Sequence, residues 1–171
     1  MSTRVGIALG SNLGNRLRNL RTARDELIQL AEKEGEVRQA PIYLTAPVDC
    51  PPDSPDFFNT VLELSFKGSP EELLKKTQGL EQKLGRAQKA NRDVNSPRPV
   101  DIDLLYFGEE TRSSDELTLP HPRLVDRLFV LLPLAEICPD LTLPGHLATI
   151  SDYIAHHDGD EPEPALVQAA W

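Results

Sequence analysis

Two aspartates, Asp101 and Asp103, are the residues whose type and spacing point most directly to chemistry. They lie in a run of branched and aromatic residues, 98–107, that predicts a buried strand ending at Gly108. Side chains two positions apart share a strand face, so the carboxylates project together, roughly 6.5 Å apart. Such a pair suits Mg²⁺, and two ions about 3.5–4 Å apart suit phosphoryl transfer. The alternative is a half-exposed strand with two solvated acids.

The residues around this pair help to decide between a metal site and two solvated acids. Alternate positions of the strand carry apolar side chains that would face a core: Val100, Ile102, Leu104 and Tyr106. A basic cluster precedes the strand in a stretch with few acids: Lys83, Arg86, Lys89, Arg92 and Arg98. In a chain of net charge −9, basic residues beside two carboxylates indicate a polyphosphate site. A solvated basic loop is the alternative.

Length and composition bound the class of protein. The 171 residues suffice for one domain with a sizeable core. The net charge of −9 argues against a nucleic-acid-binding surface, and no run of about 18 apolar residues predicts a membrane span. The N-terminus lacks a signal-peptide pattern, and Cys50 and Cys138 form no metal motif. We therefore expect a cytoplasmic protein with reduced thiols, a disulfide being the alternative.

Hydrophobic periodicity predicts the elements that position these residues. Strands are expected at 4–10, 36–44, 57–66 and 98–107, and helices at 15–34 and 69–85. Ser69, Pro70 and Glu72 form a capping-box start for the second helix. A further helix, 124–137, is expected to be broken around Pro133.

The order of these elements predicts an α+β fold. It matches a ferredoxin-like β-α-β-β-α-β core with an antiparallel sheet, helices on one face and the active site on the other. A small C-terminal extension follows. We expect one domain over residues 1–155 and an acidic, mobile tail over 156–171.

The sheet face away from the helices would carry small and polar residues and one aromatic ring. These are Gly6, Ala8, Phe57, Asn59, Asp101 and Asp103. The glycines indicate either tight packing or room for a flat ligand. The long, proline-rich segment 45–55 is expected to be functional. The turn 11–16 matches no phosphate-binding pattern and carries no such prediction.

Several motifs, in a fixed order, resemble a known family. They are ALGSNLGNR at 8–16, FFN at 57–59, Glu81 with LGR at 84–86, PRPVDIDLL at 97–105, LPHPR at 119–123, RLFV at 127–130 and PL at 133–134. Each is weak alone, but together, over about residues 3–145, they are specific. The chain resembles the 6-hydroxymethyl-7,8-dihydropterin pyrophosphokinases of folate biosynthesis.

The resemblance implies that the chain transfers pyrophosphate from ATP to the hydroxymethyl oxygen of 6-hydroxymethyl-7,8-dihydropterin, using two Mg²⁺ ions and releasing AMP. Asp101 and Asp103 match the metal-bridging carboxylates, and Arg86 and Arg98 join them as catalytic residues. Positions around the pterin are Thr45, Ala46, Val48, Phe57, Asn59 and Phe129. Positions around ATP are Gln78, Glu81, Arg92, Leu104, Thr118, His121 and Arg127. We expect small-molecule partners only, no nucleic acid or membrane, and a monomer.

The physical chemistry of these side chains agrees with the implied roles. The rings of Phe57 and Phe129 suit a flat heterocycle, the Asn59 amide suits its mixed edge, and arginines suit phosphates. One segment departs from the family's usual Arg-Trp-Gly-Pro-Arg run. Residues 92–98 are two residues longer and lack the tryptophan, and Gln88 stands where a basic residue is common. We expect residues 86–98 to order over the bound substrates.

Two other functions are compatible with parts of the pattern. One is another two-metal phosphotransferase or phosphohydrolase, which would not need Phe57, Asn59 and Phe129. The other is a non-catalytic ferredoxin-like ligand-binding module, which would not need the aspartates beside an arginine cluster. An RNA-binding module would be basic with exposed aromatic residues.

Overall fold

The structure, a computed structural model, describes residues 2–33, 36–47, 52–85 and 99–171. Its elements in chain order are β1 (Thr3–Ser11), α1 (Arg16–Ile28), β2 (Arg38–Gln39), β3 (Ile42–Thr45), β4 (Phe57–Phe66), α2 (Pro70–Lys83), β5 (Asp101–Phe107), β6 (Arg112–Ser113), β7 (Thr118–Leu119), a 3₁₀ turn (Leu124–Asp126), α3 (Leu128–Ile137), α4 (Ile150–Ala155) and β8 (Ala165–Gln168). None of the helices in these ranges is long and apolar enough to cross a membrane.

One antiparallel sheet organises the molecule. Its strand order is β5-β1-β4-β3-β8, with β2 also paired to β4, while β6 and β7 form a separate hairpin. The elements β1, α1, β3, β4, α2 and β5 follow the β-α-β-β-α-β order, and the strand pairs among them are antiparallel. The predicted α+β, ferredoxin-like core is therefore confirmed.

The first sheet face packs against α1 and α2, as predicted. Val5, Ile7 and Leu9 of β1 are buried there against Leu20 and Leu27 of α1. Full burial of each such side chain contributes roughly 1.5–3 kcal/mol, so this layer is the main core of the domain.

Both helices on this face begin at side-chain caps. Asn15 accepts a hydrogen bond from the Arg18 N–H at the start of α1. The predicted capping box of α2 is confirmed: Ser69 Oγ accepts from the Glu72 N–H, and the Ser69 N–H donates to Glu72 Oε2. Helix α1 ends at Ile28, earlier than predicted, and Gly35, the expected stop signal, lies outside the described residues.

The second sheet face is only partly open, because α3 and α4 cover one end of it. Val61 of β4 packs there against Leu131 and Leu134 of α3. Helix α3 runs continuously through Pro133, which corrects the predicted break. Burial of apolar side chains on both sides of the proline outweighs its unfavourable helix propensity.

Strand β5 contains a register shift that reverses its alternation. Ile7 of β1 pairs with Leu104, but Gly6, the residue before it, pairs with Tyr106. Leu105 is therefore an extra residue in β5. Tyr106 therefore lies on the second face, which corrects its predicted place beside Leu104. A Cβ on Gly6 would lie 2.6 Å from Tyr106 Cζ, so this glycine allows tight packing of the ring.

The predicted second strand is divided into β2 and β3 at Ala40 and Pro41. Proline has no N–H to continue a strand ladder. The carbonyl groups of both residues instead accept hydrogen bonds from Thr60 Oγ1, at 3.0 and 2.9 Å. Residues 40 and 41 therefore stay in contact with β4 between the two short strands that pair with it.

The predicted acidic tail, residues 156–171, contains a strand. Strand β8 pairs with β3 and extends the sheet. Trp171 donates a hydrogen bond from Nε1 to the Ala40 carbonyl at 2.8 Å, and the Arg24 guanidinium carbon lies 5.0 Å from the ring centroid. The Trp171 ring also packs against the core between the sheet and helices α1 and α2.

Candidate active site

The aspartate pair lies on β5, on the second sheet face. Asp101 pairs with Gly10 of β1 and Asp103 pairs with Ala8, and both aspartates are partly buried. Gly10 pairs on its other side with Asn59 of β4. Because neighbouring strands lie about 4.8 Å apart, the backbones of Asp101 and Asn59 are roughly 10 Å apart across Gly10. The aspartates and the amide thus share one face, as predicted.

Gly10 keeps the surface between these side chains low. A Cβ at this position would lie 2.6 Å from Asn59 Oδ1 and 3.5 Å from Phe57 Cδ1. Of the two explanations for the glycine-containing face of β1, tight packing applies at both positions, against the Tyr106 ring at Gly6 and against the Asn59 amide at Gly10. A larger residue at position 10 would displace the amide.

The Asn59 amide is oriented by Thr45. Asn59 Nδ2 donates to Thr45 Oγ1 at 2.7 Å, which directs the amide oxygen towards Gly10. Thr45 ends β3 and pairs with Phe57, the first residue of β4, so all three side chains come from adjacent strands. Thr45 and Phe57 are buried, whereas Ala46 is exposed and Val48 lies outside the described residues.

Two hydrogen bonds hold the residues that lead to Phe57, and no sequence pattern indicated them. Buried Asn12 donates to the Pro55 carbonyl at 3.4 Å, and Arg16 donates to the Asp56 carbonyl at 2.9 Å. The Arg16 guanidinium carbon also lies 4.0 Å from the centroid of the Phe58 ring. The turn after β1, which matches no phosphate-binding pattern, instead holds the residues that precede Phe57 and Phe58.

His121 lies near the aspartate pair and is neutral. The backbone N–H of His121 donates a hydrogen bond to the Leu105 carbonyl at 2.8 Å, so the extra residue of β5 holds the backbone of this histidine. Burial, followed by the charges of Arg127 and Arg123, lowers the pKa of His121 to about 4, against an opposing effect of Asp101. Nδ1 accepts from the Arg123 N–H at 3.2 Å, which leaves Nε2 as the protonated donor.

Phe129 and Arg127 come from the start of α3. Phe129 is its second residue, and Arg127 immediately precedes the helix. The Arg127 guanidinium carbon lies 5.4 Å from the centroid of the Phe129 ring, a cation–π distance. Both side chains are partly buried. Phe129, predicted to contact the pterin, and Arg127, predicted to contact ATP, therefore lie against each other.

The other predicted nucleotide residues divide into four groups. Glu81 of α2 accepts a hydrogen bond from the Ile102 N–H at 2.9 Å, so it holds the backbone between the two aspartates. Gln78 and Thr118 are exposed. The Leu104 side chain is buried in the core beneath the helices, so only its backbone could meet a nucleotide. The remaining three, Arg86, Arg92 and Arg98, lie outside the described residues.

The aspartate pair fits a metal ion whose other ligands come from the substrate. Within the described ranges, no group of three or more histidine, cysteine, aspartate or glutamate side chains could hold a metal alone. Mg²⁺ commonly takes one or two protein carboxylates together with phosphate oxygens and water. Asp101 and Asp103 match that pattern, since both are oxygen donors on one partly exposed face.

Fold and site together define a class. An antiparallel α+β core carries paired carboxylates, cationic and neutral donors beside them, and an amide and aromatic ring across a glycine. Such a combination is typical of enzymes that transfer phosphoryl groups.

Comparison with known proteins narrows the class. Residues 6–139 match the family model for 7,8-dihydro-6-hydroxymethylpterin-pyrophosphokinase (HPPK). The 2-amino-4-hydroxy-6-hydroxymethyldihydropteridine pyrophosphokinase of Bacillus subtilis is 42% identical over 136 residues, covering 77% of this chain and 76% of the relative. That of Pseudomonas aeruginosa is 39% identical, covering 84% and 86%. The chain belongs to the HPPK family.

Longer proteins are also similar to this chain. The mitochondrial folate synthesis bifunctional protein of Arabidopsis thaliana is 36% identical over 98% of the chain, but the chain spans only 28% of it. The crystal structure of wild-type Plasmodium falciparum HPPK-DHPS with pteroate aligns with a TM-score of 0.68 at 13% identity, over 91% of this chain and 42% of that one. This structural similarity supports the fold.

Proposed function

We propose that the protein transfers pyrophosphate from ATP to the hydroxymethyl oxygen of 6-hydroxymethyl-7,8-dihydropterin, yielding AMP and the pterin diphosphate. The observation that carries this proposal is the row formed by Asp101, Gly10 and Asn59 across three strands. The residue whose carboxylate suits a metal–phosphate complex thus lies on the same face as the residue whose amide suits a heterocycle edge, with their backbones roughly 10 Å apart.

The pterin would lie on the side of Asn59. Phe57 offers an aromatic face at the start of β4, and Phe129 offers a second from α3. Asn59 is already oriented by Thr45, so its amide oxygen can accept from the pterin edge with little loss of rotamer freedom. In the proposed arrangement the hydroxymethyl group would face the aspartates.

The triphosphate would lie on the side of β5. Asp101 and Asp103 would hold two Mg²⁺ ions, which when bound neutralise charge on the transferring phosphate oxygens. His121 can donate from Nε2 and Arg127 supplies a cation. Glu81 fixes the backbone that carries both aspartates, through the Ile102 N–H. We extend the proposal to Arg86, Arg92 and Arg98 as further phosphate ligands.

The reaction is an in-line displacement at the β-phosphorus of ATP. The bond from the hydroxymethyl oxygen to this phosphorus forms as the bond to the α-phosphate oxygen breaks, and AMP leaves. What the protein supplies is positioning and charge stabilisation, the usual sources of catalysis in phosphoryl transfer.

Product analysis tests the proposal. The protein is incubated with ATP, Mg²⁺ and 6-hydroxymethyl-7,8-dihydropterin, and the nucleotide products are separated by chromatography. We expect AMP in equal amount to pterin diphosphate, and none without Mg²⁺. Formation of ADP, or phosphate release independent of pterin, would instead indicate another two-metal phosphotransferase or phosphohydrolase. Absence of any turnover with tight ligand binding would indicate a binding module. Monomeric state and cytoplasmic location stay predictions.

A further inference from the structure

The first turn of α3 has no cap from its own neighbours in sequence. The residue at the N-cap, Arg127, makes no side-chain capping hydrogen bond, and the first turn contains no acidic residue. The first N–H groups of a helix have no partner within it and need acceptors from elsewhere. Phe129, the second proposed pterin ring, lies in this turn, so whatever holds the turn also holds the ring.

An acceptor comes from a distant part of the chain. Glu161, beyond α4, accepts a hydrogen bond at Oε1 from the Leu128 N–H, with a separation of 3.4 Å. Its side chain is only 21% exposed. A carboxylate at a helix N-terminus is stabilised by the helix dipole as well as by the hydrogen bond. Glu161 thus supplies the cap that the local sequence lacks.

Glu161 is itself held by a histidine. His157 Nε2 lies 3.1 Å from Glu161 Oε1, and the His157 side chain is 11% exposed. His157 Nδ1 accepts from the Gly159 N–H at 3.3 Å. A ring with its proton on Nε2 satisfies both contacts, since Nδ1 is then the acceptor and Nε2 the donor.

The ring of Phe129 borders a cavity on this side of the molecule. The cavity has a volume of about 460 Å³ and lies between the start of α3 and the segment 156–161, with Phe129, Tyr153, His157 and Glu161 in its wall. A side chain beside a cavity is not fixed by close packing there. The backbone of the first turn therefore has the greater share in setting the position of the ring.

We propose that Glu161, held by His157, is a positioning residue for pterin binding: it caps α3 and fixes the backbone that carries Phe129. The inference deepens the proposed function and rests on it. It concerns residues beyond 6–139, the part of the chain that the family model matches. The acidic C-terminal segment then takes part in the site without touching a substrate.

Steady-state kinetics of Glu161→Ala test the proposal, with Glu163→Ala, an exposed acid of the same segment, as matched control. We expect the KM for the pterin to rise about fivefold, the equilibrium effect of one lost helix cap. The KM for ATP should rise by less than the KM for the pterin, because Arg127 at the start of α3 is only one of several groups proposed for the triphosphate. The kcat should change by less than about twofold. Glu161→Gln keeps an acceptor oxygen and should restore most of the affinity. Glu163→Ala should behave as wild type.

A second variant keeps the test decisive if Glu161→Ala folds poorly. A Cβ at Gly159 would lie 2.6 Å from His157 Cε1, so Gly159→Ala displaces the histidine and should raise the pterin KM in the same direction. Unchanged pterin KM in both folded variants would overturn the positioning role, as would equal rises for pterin and ATP. If wild type itself makes no pterin diphosphate, the proposed function fails instead, and the two failures are distinguishable.

Discussion

The two ends of the second sheet face carry carboxylates in contrasting environments. At one end, the site cluster of Asp101, Asp103 and Asn59 is partly exposed. At the other, the anchor cluster of Glu63, Tyr106 and Cys138 is buried beneath α3. Strands β4 and β5 contribute to both clusters, so position along the strand, rather than residue type, decides the role of an acid.

The carboxylate of the anchor cluster has its hydrogen-bonding capacity met within the protein. Glu63 accepts from the Tyr106 hydroxyl, from Cys138 Sγ at 3.1 Å and from Arg4 Nε at 3.1 Å. Burial alone would raise the pKa of Glu63, but these hydrogen bonds and the Arg4 charge outweigh it and lower the pKa. Burial and the neighbouring Glu63 raise the pKa of Cys138 to about 11, so this free thiol is protonated and unreactive.

The comparison separates structural from functional acids by what surrounds them. Glu63 joins α3 to the sheet through Cys138 and Tyr106, and its 5% exposure leaves no room for a ligand. Asp101 and Asp103 lie where α3 does not cover the sheet. Substitutions in the site cluster should therefore alter activity with little loss of stability, and substitutions in the anchor cluster should do the reverse.

The largest effect is expected for Asp103→Ala. Loss of a carboxylate that holds Mg²⁺ should reduce kcat at least about 100-fold, the scale of losing one major electrostatic contact. The free energy of unfolding should change less than in Glu63→Ala, because Asp103 is only partly buried whereas Glu63 is buried. Assays of turnover and urea unfolding, with exposed Asp140→Ala as control, check both. Near-normal turnover in a folded variant would remove the functional half of the comparison.

Glu63→Ala should show the opposite pattern. The substitution leaves the buried Tyr106 hydroxyl without its carboxylate acceptor, whereas partly exposed Arg4 keeps hydrogen bonds to the Glu36 carbonyl and Ser65 Oγ. The stability cost should be about 1–3 kcal/mol. The kcat of the remaining folded protein should stay within about twofold of wild type. Denaturant unfolding gives the stability, with exposed Glu109→Ala as control. A loss of kcat without loss of stability would show that the two ends are not independent.

The pH dependence of stability should show the contribution of Glu63. Its folded pKa lies below the unfolded value of 4.5, so the unfolded chain binds its proton first as pH falls. The stabilisation is present above pH 4.5 and is lost as pH decreases through the folded pKa. Comparing wild type with Glu63→Gln by urea unfolding at several pH values isolates this difference. A constant difference down to acid pH would contradict it.

Asn59→Ala sharpens the comparison within the site cluster. The amide should meet the pterin edge, and leaving that edge unpaired in a partly buried site costs roughly 1–3 kcal/mol. Pterin affinity should fall accordingly, with ATP affinity unchanged, because Asn59 lies across β1 from the aspartates. Calorimetric titration of each ligand measures both. Equal losses for pterin and nucleotide would count against the assignment.

The environment of His121 can be tested by titration. His121 should remain neutral to about pH 4 in the free protein, because burial and the charges of Arg127 and Arg123 oppose protonation. Since its pKa falls from 6.5 to about 4 on folding, stability should decrease as pH falls through that interval. NMR titration of the ring proton gives the pKa, and Arg123→Ala should raise it. A pKa near 6.5 would place the ring in solvent.

The sequence predicted the order of the main elements and the shared face of the two aspartates and Asn59, because these depend on local periodicity. Asp101, Asp103, Phe57 and Asn59 follow from strand alternation alone. The position of Tyr106 did not follow, because the register shift in β5 depends on its pairing with Gly6 of β1. Periodicity within one strand carries no record of a partner's register.

Tertiary contacts account for the remaining differences. The course of α3 through Pro133 and its cover of the sheet reflect burial, which local propensity does not express. Glu161 stands among other acids near the C-terminus, and nothing in its local sequence marks it as the cap of a helix 33 positions earlier. Such roles depend on which distant segments meet.

Counting bound metal ions tests the contrast between the clusters most directly. Mn²⁺ in place of Mg²⁺ is titrated into the protein with a non-hydrolysable ATP analogue and pterin, and free Mn²⁺ is measured by electron paramagnetic resonance. We predict two ions per chain for wild type and for Glu63→Gln, but fewer than two for Asp101→Asn and Asp103→Asn. Two tightly bound ions in both aspartate variants would contradict the account.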